Sequence, residues 1–386
     1  MMNRKLRMGM VGGGRGAFIG AVHRMAAGLD GKIELVCGAF SSDPKKSKAS
    51  GKDLMLPTNR CYGSYAEMME KEAALPEGER MDFVAIVTPN HMHYPVAVAA
   101  LDAGFHVVCD KPVTFTLDEA RKLAEKIKDS KKLFCLTHNY TGSAMVKEAR
   151  ELVQTGQLGK IRRVVVEYPQ GWLAGDLEKT GQKQAAWRVD PKQAGISCCM
   201  GDIGTHCANL AEYIVCSPIK ELCSDLSTFV KGRKLDDDGS VLIRFRNGAK
   251  GVLWASQIAV GKENGLNIRI YGEKGGIEWQ QEEPNSLVVR WTDKPMEIRR
   301  QGTGFVGAAA VANTRTPAGH PEGYLEAFAN IYNNFADTLI GELTSKHIKV
   351  ADRDFPTIQD GIRGMAFLDA VVKSSSSKSK WIQIKE

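Results

Sequence analysis

The first chemical signal in this chain is a carboxylate and an imidazole one helical turn apart: Asp202 and His206, in the stretch MGDIGTHCANLAEY that runs from Met200 to Tyr213. An imidazole has an ordinary pKa of about 6.5, so it takes or gives a proton near neutral pH. A carboxylate four residues earlier shares its helical face and can orient the ring, balance its charge or hold a hydroxyl. The structural alternative for Asp202 is a helix N-cap. Read as a helix, the stretch has two stripes. Ile203, Cys207, Leu210 and Ile214 make an apolar face for a core, and Asp202, His206, Asn209 and Tyr213 make a polar stripe beside it. A third reactive group is Lys111, in CDKP directly after an apolar strand. Ligands bind open α/β sheets just beyond strand C-termini, and an ammonium there can stabilise an oxygen that gains negative charge.

These groups need elements that place them, and the first third of the chain supplies a regular series. Apolar strands at LRMGMVG, IELVCGAF, MDFVAIVTP, FHVVCDKP and KLFCLTHN alternate with helical patterns such as TLDEARKLAEKIKDS, which opens on a capping box of Thr116 and Glu119. Strands alternating with helices predict a parallel, doubly wound sheet. The first strand runs into Gly12-Gly13-Gly14-Arg15-Gly16-Ala17. Gly12 and Gly14 fit the first two places of GxGxxG/A and Ala17 the third, with Gly16, Phe18 and Ile19 completing the turn into a helix. In this context the turn predicts dinucleotide binding, the pyrophosphate lying on the helix N-terminus. A dinucleotide site often carries an acid at the end of the second strand, for the ribose 2′-hydroxyl. Here Ser41 and Ser42 stand there, followed by Asp43, Lys45 and Lys46, so NAD and NADP both remain open as cofactors.

Beyond about Gly142 the pattern changes to antiparallel strands. Val241, Ile243 and Phe245 alternate with Leu242, Arg244 and Arg246, and Asn247-Gly248 between two such runs signals a hairpin. The expectation is an α+β domain with a large open, mostly antiparallel sheet. One face of it would pack on helices and the other on a second subunit, giving a homodimer or homotetramer. The predicted division is 1–140 and 141–386. Charged residues are 25% of the chain, hydrophobic residues 43% and the net charge +7. That composition is ordinary for a globular protein, with no nucleic-acid motif and no stretch of membrane-spanning length. The start passes from a few basic residues into a strand without an apolar leader core, which suggests a cytoplasmic protein. Nine cysteines without a CxxC pair suggest reduced thiols. His91-Met92-His93 sits in a turn without a carboxylate or thiol at ligand spacing, so no metal is expected.

Four motifs in register, VGGGRGAFIGAVH, TPNHMH, AGFHVVCDKP and GDIGTH, resemble the Gfo/Idh/MocA family of oxidoreductases. The resemblance implies a Rossmann domain followed by an open-sheet domain, and oxidation or reduction of sugars, inositols and related polyols with NAD(H) or NADP(H). It assigns Lys111, Asp202 and His206 as catalytic. Thr88, Pro89, Asn90 and His93 would line the cofactor, with Asp110 standing where the family has Glu. Departures at Asn209 and at His138-Asn139-Tyr140 fall where substrate is expected. Further candidate substrate contacts are His138, Tyr140, Lys183, Trp187, Arg188, Arg315 and His320. In such a site a nicotinamide takes the hydride of a secondary alcohol and His206 its proton. Oxidation at the 3-position of a glucoside is one specific activity of this kind. A glycosidase using NAD catalytically and a non-enzymatic cofactor-binding sensor are the alternatives. The retained Lys111, Asp202 and His206 weigh against the sensor.

Overall fold

The structure, a computed structural model, describes residues 4–346 and 353–386. Met1–Asn3, part of the basic start, lie outside the described residues. The chain forms two compact units. One runs to His138 and takes in Phe328–Ile362; the other comprises Asn139–Ala327 and Arg363–Glu386.

The first unit is built on five parallel strands: β1 (Leu6–Gly12), β2 (Ile33–Ala39), β3 (Phe83–Val87), β4 (His106–Cys109) and β5 (Phe134–Leu136), in the order β2-β1-β3-β4-β5. β3, β4 and β5 are buried along their whole length, as strands covered on both faces must be. Helices α1 (Phe18–Gly28), α2 (Pro44–Asp53), α3 (Tyr65–Ala73), α4 (His93–Asp102) and α5 (Leu117–Ser130) connect them. α5 has the predicted capping box: Thr116 accepts from the Glu119 N–H, and Glu119 reaches back to the Thr116 N–H. This is the doubly wound sheet the strand–helix alternation requires.

The second unit carries a nine-stranded sheet. Its strands are β6 (Arg163–Pro169), β7 (Ile219–Ser227), β8 (Asp238–Phe245), β9 (Lys250–Ser256), β10 (Asn267–Tyr271), β11 (Gly275–Gln280), β12 (Ser286–Trp291), β13 (Glu297–Arg300) and β14 (Ile382–Gln383), in the order β13-β12-β11-β10-β6-β9-β8-β7-β14. Every pairing is antiparallel except β6 with β9. The Asn247-Gly248 hairpin joins β8 to β9, with Gly248 at φ 91°. Val241, Ile243 and Phe245 point into the core while Leu242 is exposed, so the alternation read in the sequence is the burial pattern of the strand. Helices α6 (Ala144–Gln154), α7 (Lys183–Arg188), α8 (Pro191–Ala194), α9 (Thr205–Val215) and α10 (Ala308–Ala312) belong to this unit, with α6 and α9 packed together.

Two long helices follow, α11 (Tyr324–Leu343) and α12 (Ile358–Ser376). Placing everything after residue 141 in one domain needs correction, because Phe328–Ile362 returns to the first unit. Phe328, Tyr332 and Phe335, at spacings of four and three on α11, are buried there. Phe335 meets Phe83 of β3 edge-on at 5.2 Å, and the Tyr332 hydroxyl is hydrogen-bonded to His23 Nδ1 at 2.7 Å. The described residues contain no helix long and apolar enough to cross a membrane.

Candidate active site

In the first unit the glycine turn is shaped for a close approach. Gly12 stands at φ 85°, and a Cβ there would lie 2.7 Å from the Val87 carbonyl oxygen. A Cβ on Gly14 would lie 2.7 Å from the Phe40 carbonyl oxygen. Ala17, at the third place of the glycine pattern, lies at the start of α1. Ala17 is the extended N-cap residue, and the tight contact is made by Gly20, whose Cβ would lie 2.4 Å from Gly13 Cα. α2, α3 and α5 are capped by the side chains of Asp43, Ser64 and Thr116, whereas Ala17 offers α1 no acceptor and the first turn of α1 has no acid. The start of α1 therefore presents amide N–H groups and the positive end of a helix dipole, with Phe18 66% exposed beside them and Ile19 partly covered. At the end of β3 the Thr88 hydroxyl is buried with no hydrogen-bond partner among the described residues. A cradle that any Cβ would fill, an uncapped helix start and an unsatisfied buried hydroxyl fit a dinucleotide.

At the ribose end, Asp43 is exposed but engaged. It caps α2, accepting from the N–H groups of Lys45 (2.9 Å) and Lys46 (3.3 Å), while the Ser41 hydroxyl accepts from the Asp43 N–H. Arg15 is exposed and forks onto Asp53 at 2.5 and 2.7 Å.

Around Lys111 the first unit is dense with titratable groups. Asp110 accepts from the Lys111 N–H and the Thr137 hydroxyl, each at 2.9 Å, and lies 3.9 Å from His23 Nε2. Burial alone would raise the Asp110 pKa, but His23, Lys111 and His93 outweigh it and hold the carboxyl below the usual carboxylate range. His138 is buried, and burial with the charge of Lys111 pushes its pKa down to about 3. His93 was expected to line the nicotinamide. It opens α4 pointing inward and is buried, with Nδ1 2.6 Å from the Pro112 carbonyl and Nε2 2.9 Å from the Thr88 carbonyl. It lies between the Thr88–Asn90 turn and the Lys111–Pro112 turn, and burial lowers its pKa, so the neutral ring has one N–H to donate to one of these carbonyls. Asn90 is also buried.

In the second unit Asp202 and His206 lie on one continuous helix whose first part is wide. Met200–Gly204 forms a π-helical turn, with the Thr205 N–H bonded to the Met200 carbonyl, and α9 continues from it. Such turns recur at functional sites because they re-aim side chains on an otherwise regular helix. Ile203, Cys207, Leu210 and Ile214 are all buried, as the apolar stripe predicts. Asp202 is not an N-cap. The start of this helix is held from outside by Asp236, whose carboxylate accepts from the N–H groups of Cys198 (3.0 Å) and Met200 (2.8 Å). Asp202 Oδ2 instead receives Arg188 Nε at 3.0 Å and Gln257 Nε2 at 2.9 Å.

His206 is buried against two phenol rings, Tyr140 at 5.0 Å and Tyr168 at 6.3 Å between ring centres, both edge-on. The hydroxyls of these rings are closed in a loop. Tyr168 donates to Asn264 Oδ1 (2.7 Å), Asn264 Nδ2 donates to the Tyr140 hydroxyl (3.2 Å), and Tyr140 donates to Tyr168 (2.5 Å). Burial raises both phenol pKa values, so both keep the proton that the loop uses. The Tyr140 hydroxyl, expected to meet substrate, is thus engaged within the protein.

The remaining expected contacts divide. Trp187 and Trp172 face the Arg188 guanidinium at 4.3 and 5.7 Å, and Arg188 is turned onto Asp202. Arg315 is bonded within its own unit. Its N–H and that of Thr316 donate to Glu322 Oε1 at 2.6 Å, and its guanidinium reaches the Glu326 carbonyl. Lys183, at the start of α7, and His320 are exposed. Gln257, Asp236, Tyr168 and Asn264 carry no motif of their own. Only their polar character at the ends of strands set them apart in the sequence.

Comparison with known proteins agrees with this architecture. Residues 6–138 match a family model described as oxidoreductase family, NAD-binding Rossmann fold, and residues 146–278 match the GFO/IDH/MocA C-terminal domain. The chain is 34% identical to the uncharacterized oxidoreductase YfiI of Bacillus subtilis, covering all of this chain and 98% of that one. It is 26% identical to the levoglucosan dehydrogenase of Pseudarthrobacter phenanthrenivorans, covering 99% and 98%. An inositol dehydrogenase homolog from Azotobacter vinelandii, solved with NAD+, superposes with a TM-score of 0.93 at 35% identity over 99% of this chain and 98% of that one; the same protein has been solved with NADH and myo-inositol. Matches to both family models and full-length likeness in sequence and fold have one explanation: the chain belongs to the Gfo/Idh/MocA family and is an NAD(P)-dependent oxidoreductase.

Proposed function

We propose that the protein is a dehydrogenase, or in the reverse direction a reductase, acting on a secondary alcohol of a sugar, glycoside or inositol-like polyol. The observation that carries this reading is the helix that bears Asp202 and His206, with His206 enclosed by Tyr140 and Tyr168. An imidazole on a rigid helix, packed against phenol rings, supports the reading of His206 as the proton acceptor. The named relatives support the substrate class, since one is a levoglucosan dehydrogenase and another was crystallised with myo-inositol.

The bound nicotinamide supplies the hydride acceptor or donor. The protein's own residues do the rest. The uncapped start of α1 and the Gly12–Gly14 backbone bind the pyrophosphate. Lys111 donates a hydrogen bond to the reacting oxygen and stabilises its negative charge as the O–H bond breaks. His206 accepts the hydroxyl proton in oxidation and returns it in reduction, and Asp202 balances the imidazolium charge. At the ribose end the nearest acid, Asp43, is engaged with α2, so NADP is expected to serve as well as NAD.

The reading is tested with a panel of inositols, polyols and glycosides, each with NAD and with NADP, followed by absorbance of the reduced nicotinamide. Lys111→Ala and His206→Ala are expected to abolish turnover while NADH still binds, seen by its fluorescence. Full activity in both variants sinks the proposal. Sugar released from a glycoside without accumulation of NADH would point to redox-assisted cleavage instead.

The outward face of the large sheet carries Leu242, Tyr271 and Ile298, exposed by 47%, 45% and 57%. A homo-oligomer that covers this face is part of the proposal, and light scattering on the purified chain tests it. A monomer at micromolar concentration would rule it out.

A further inference from the structure

Asp202 is held by a device that no motif announces. Gln257 directly follows β9 and is fully buried (0% exposed). Its backbone is pinned on both sides: its N–H donates to the Asp237 carbonyl at 2.9 Å, and its carbonyl accepts from the Leu173 N–H at 3.0 Å. The side-chain amide then bridges two groups, with Nε2 2.9 Å from Asp202 Oδ2 and Oε1 3.4 Å from Cys198 Sγ. A carboxylate only accepts and a thiol donates, so the amide has one workable orientation, nitrogen toward Asp202 and oxygen toward Cys198. Burial, followed by the charges of Asp202 and Asp236, pushes the Cys198 thiol well above its ordinary range, which keeps it a donor.

The second donor on the same carboxylate oxygen is equally constrained. Arg188 lies over the Trp187 ring at 4.3 Å and the Trp172 ring at 5.7 Å. Its Nη1 bonds the Gln184 carbonyl (3.2 Å) and side-chain oxygen (2.7 Å), which leaves Nε aimed at Asp202 Oδ2. Two converging donors, one of them charged, fix the direction of the carboxylate.

We propose that Gln257 and Arg188 are positioning residues that hold the Asp202 carboxylate aimed for the reaction, with the Cys198 thiol fixing the Gln257 amide. The inference rests on the reading of Asp202 as catalytic.

The test is a double-mutant cycle on the full-length enzyme, using the substrate found in the panel. Gln257→Met keeps the side-chain volume and removes the donor. It is expected to lower kcat by about tenfold or more, roughly the loss of one charge-assisted hydrogen bond, with the Kd for NADH unchanged within about twofold. Asp202→Asn lowers kcat further, by about 10²-fold or more. In the Asp202→Asn background, Gln257→Met should have almost no additional effect, because it acts through Asp202. A residue that merely supports the fold would give additive losses, and additive losses overturn the inference. So does a kcat for Gln257→Met within about twofold of the parent while Asp202→Asn is impaired. Asp202→Asn at parental activity instead removes the catalytic reading of Asp202 itself. If turnover of Asp202→Asn is too slow to measure, the crystal structure of Gln257→Met decides: a displaced Asp202 carboxylate supports the inference and an unmoved one refutes it. If Gln257→Met does not fold, Arg188→Met, on the partly exposed α7, is put through the same cycle with the same two outcomes.

Discussion

At the scale of single residues, burial decides what the titratable side chains can do. His138 and His106 are both pushed to about 3 from an ordinary 6.5, chiefly by loss of water. Their folded forms are neutral throughout the physiological range. The unfolded chain protonates the same rings below its ordinary value, so between 6.5 and about 3 it binds more protons than the native state. Stability is therefore expected to be full above that window and to fall as pH drops through it. Urea unfolding at about pH 7.5 and about pH 5 measures the fall. His106 Nδ1 accepts the Leu133 N–H at 2.9 Å, so His106→Asn keeps an acceptor and removes the titration. A shallower pH dependence is expected in that variant, and an unchanged one contradicts the assignment. Gly12 offers a second test at this scale. A methyl there meets the Val87 carbonyl at 2.7 Å and forces a positive φ on an L residue, so Gly12→Ala should weaken NADH binding by about tenfold or more. Binding at parental strength would show that the cradle lies elsewhere.

At the scale of elements, the helix carrying Asp202 and His206 is the one to perturb. Its first N–H groups are satisfied by Asp236, which lies 38 and 36 residues further along the chain from the two residues it caps. Removing that acceptor leaves buried donors unpaired, so Asp236→Ala should cost about 1–3 kcal/mol of unfolding free energy. If this cap also places the π-helical turn, kcat should fall while NADH affinity, a property of the first unit, stays constant. A loss of stability with unaltered kcat would separate the cap from catalysis. The sequence marked this helix through its two stripes, and the apolar stripe was legible because burial follows the helical period. The wide turn was not legible. A π-helical turn adds no residue type of its own and depends on what the neighbouring strands leave room for, such as Met200 packed against Gly239 of β8.

For the whole molecule, the notable fact is the return of Phe328–Ile362 to the first unit. Phe328 and Tyr332 of α11 enclose His23, with Phe328 edge-on at 4.7 Å, and Phe335 covers Phe83. The Pro356 carbonyl also accepts the Leu136 N–H at the edge strand β5. A fragment ending at residue 140 would expose this apolar surface to water. It is expected to be unfolded or aggregated, with weak cooperative unfolding by circular dichroism, whereas the full chain unfolds cooperatively. A stable, NADH-binding 1–140 fragment would refute this account of the first unit's core.

The sequence by itself determined the features that depend on neighbours in the chain: the parallel sheet, the glycine turn, the capping box on α5, the β8–β9 hairpin and the pairing of Asp202 with His206 on one helix. Each of these is written in a period, a turn residue or a short spacing. Only the tertiary structure decided which groups serve those residues. Gln257 reaches Asp202 across 55 residues, Asn264 reaches Tyr140 across 124, and Tyr332 reaches His23 across 309. Such contacts depend on strand register and on which helix face meets which sheet. A glutamine at the end of one strand looks like any other until folding brings a carboxylate within hydrogen-bond distance of it.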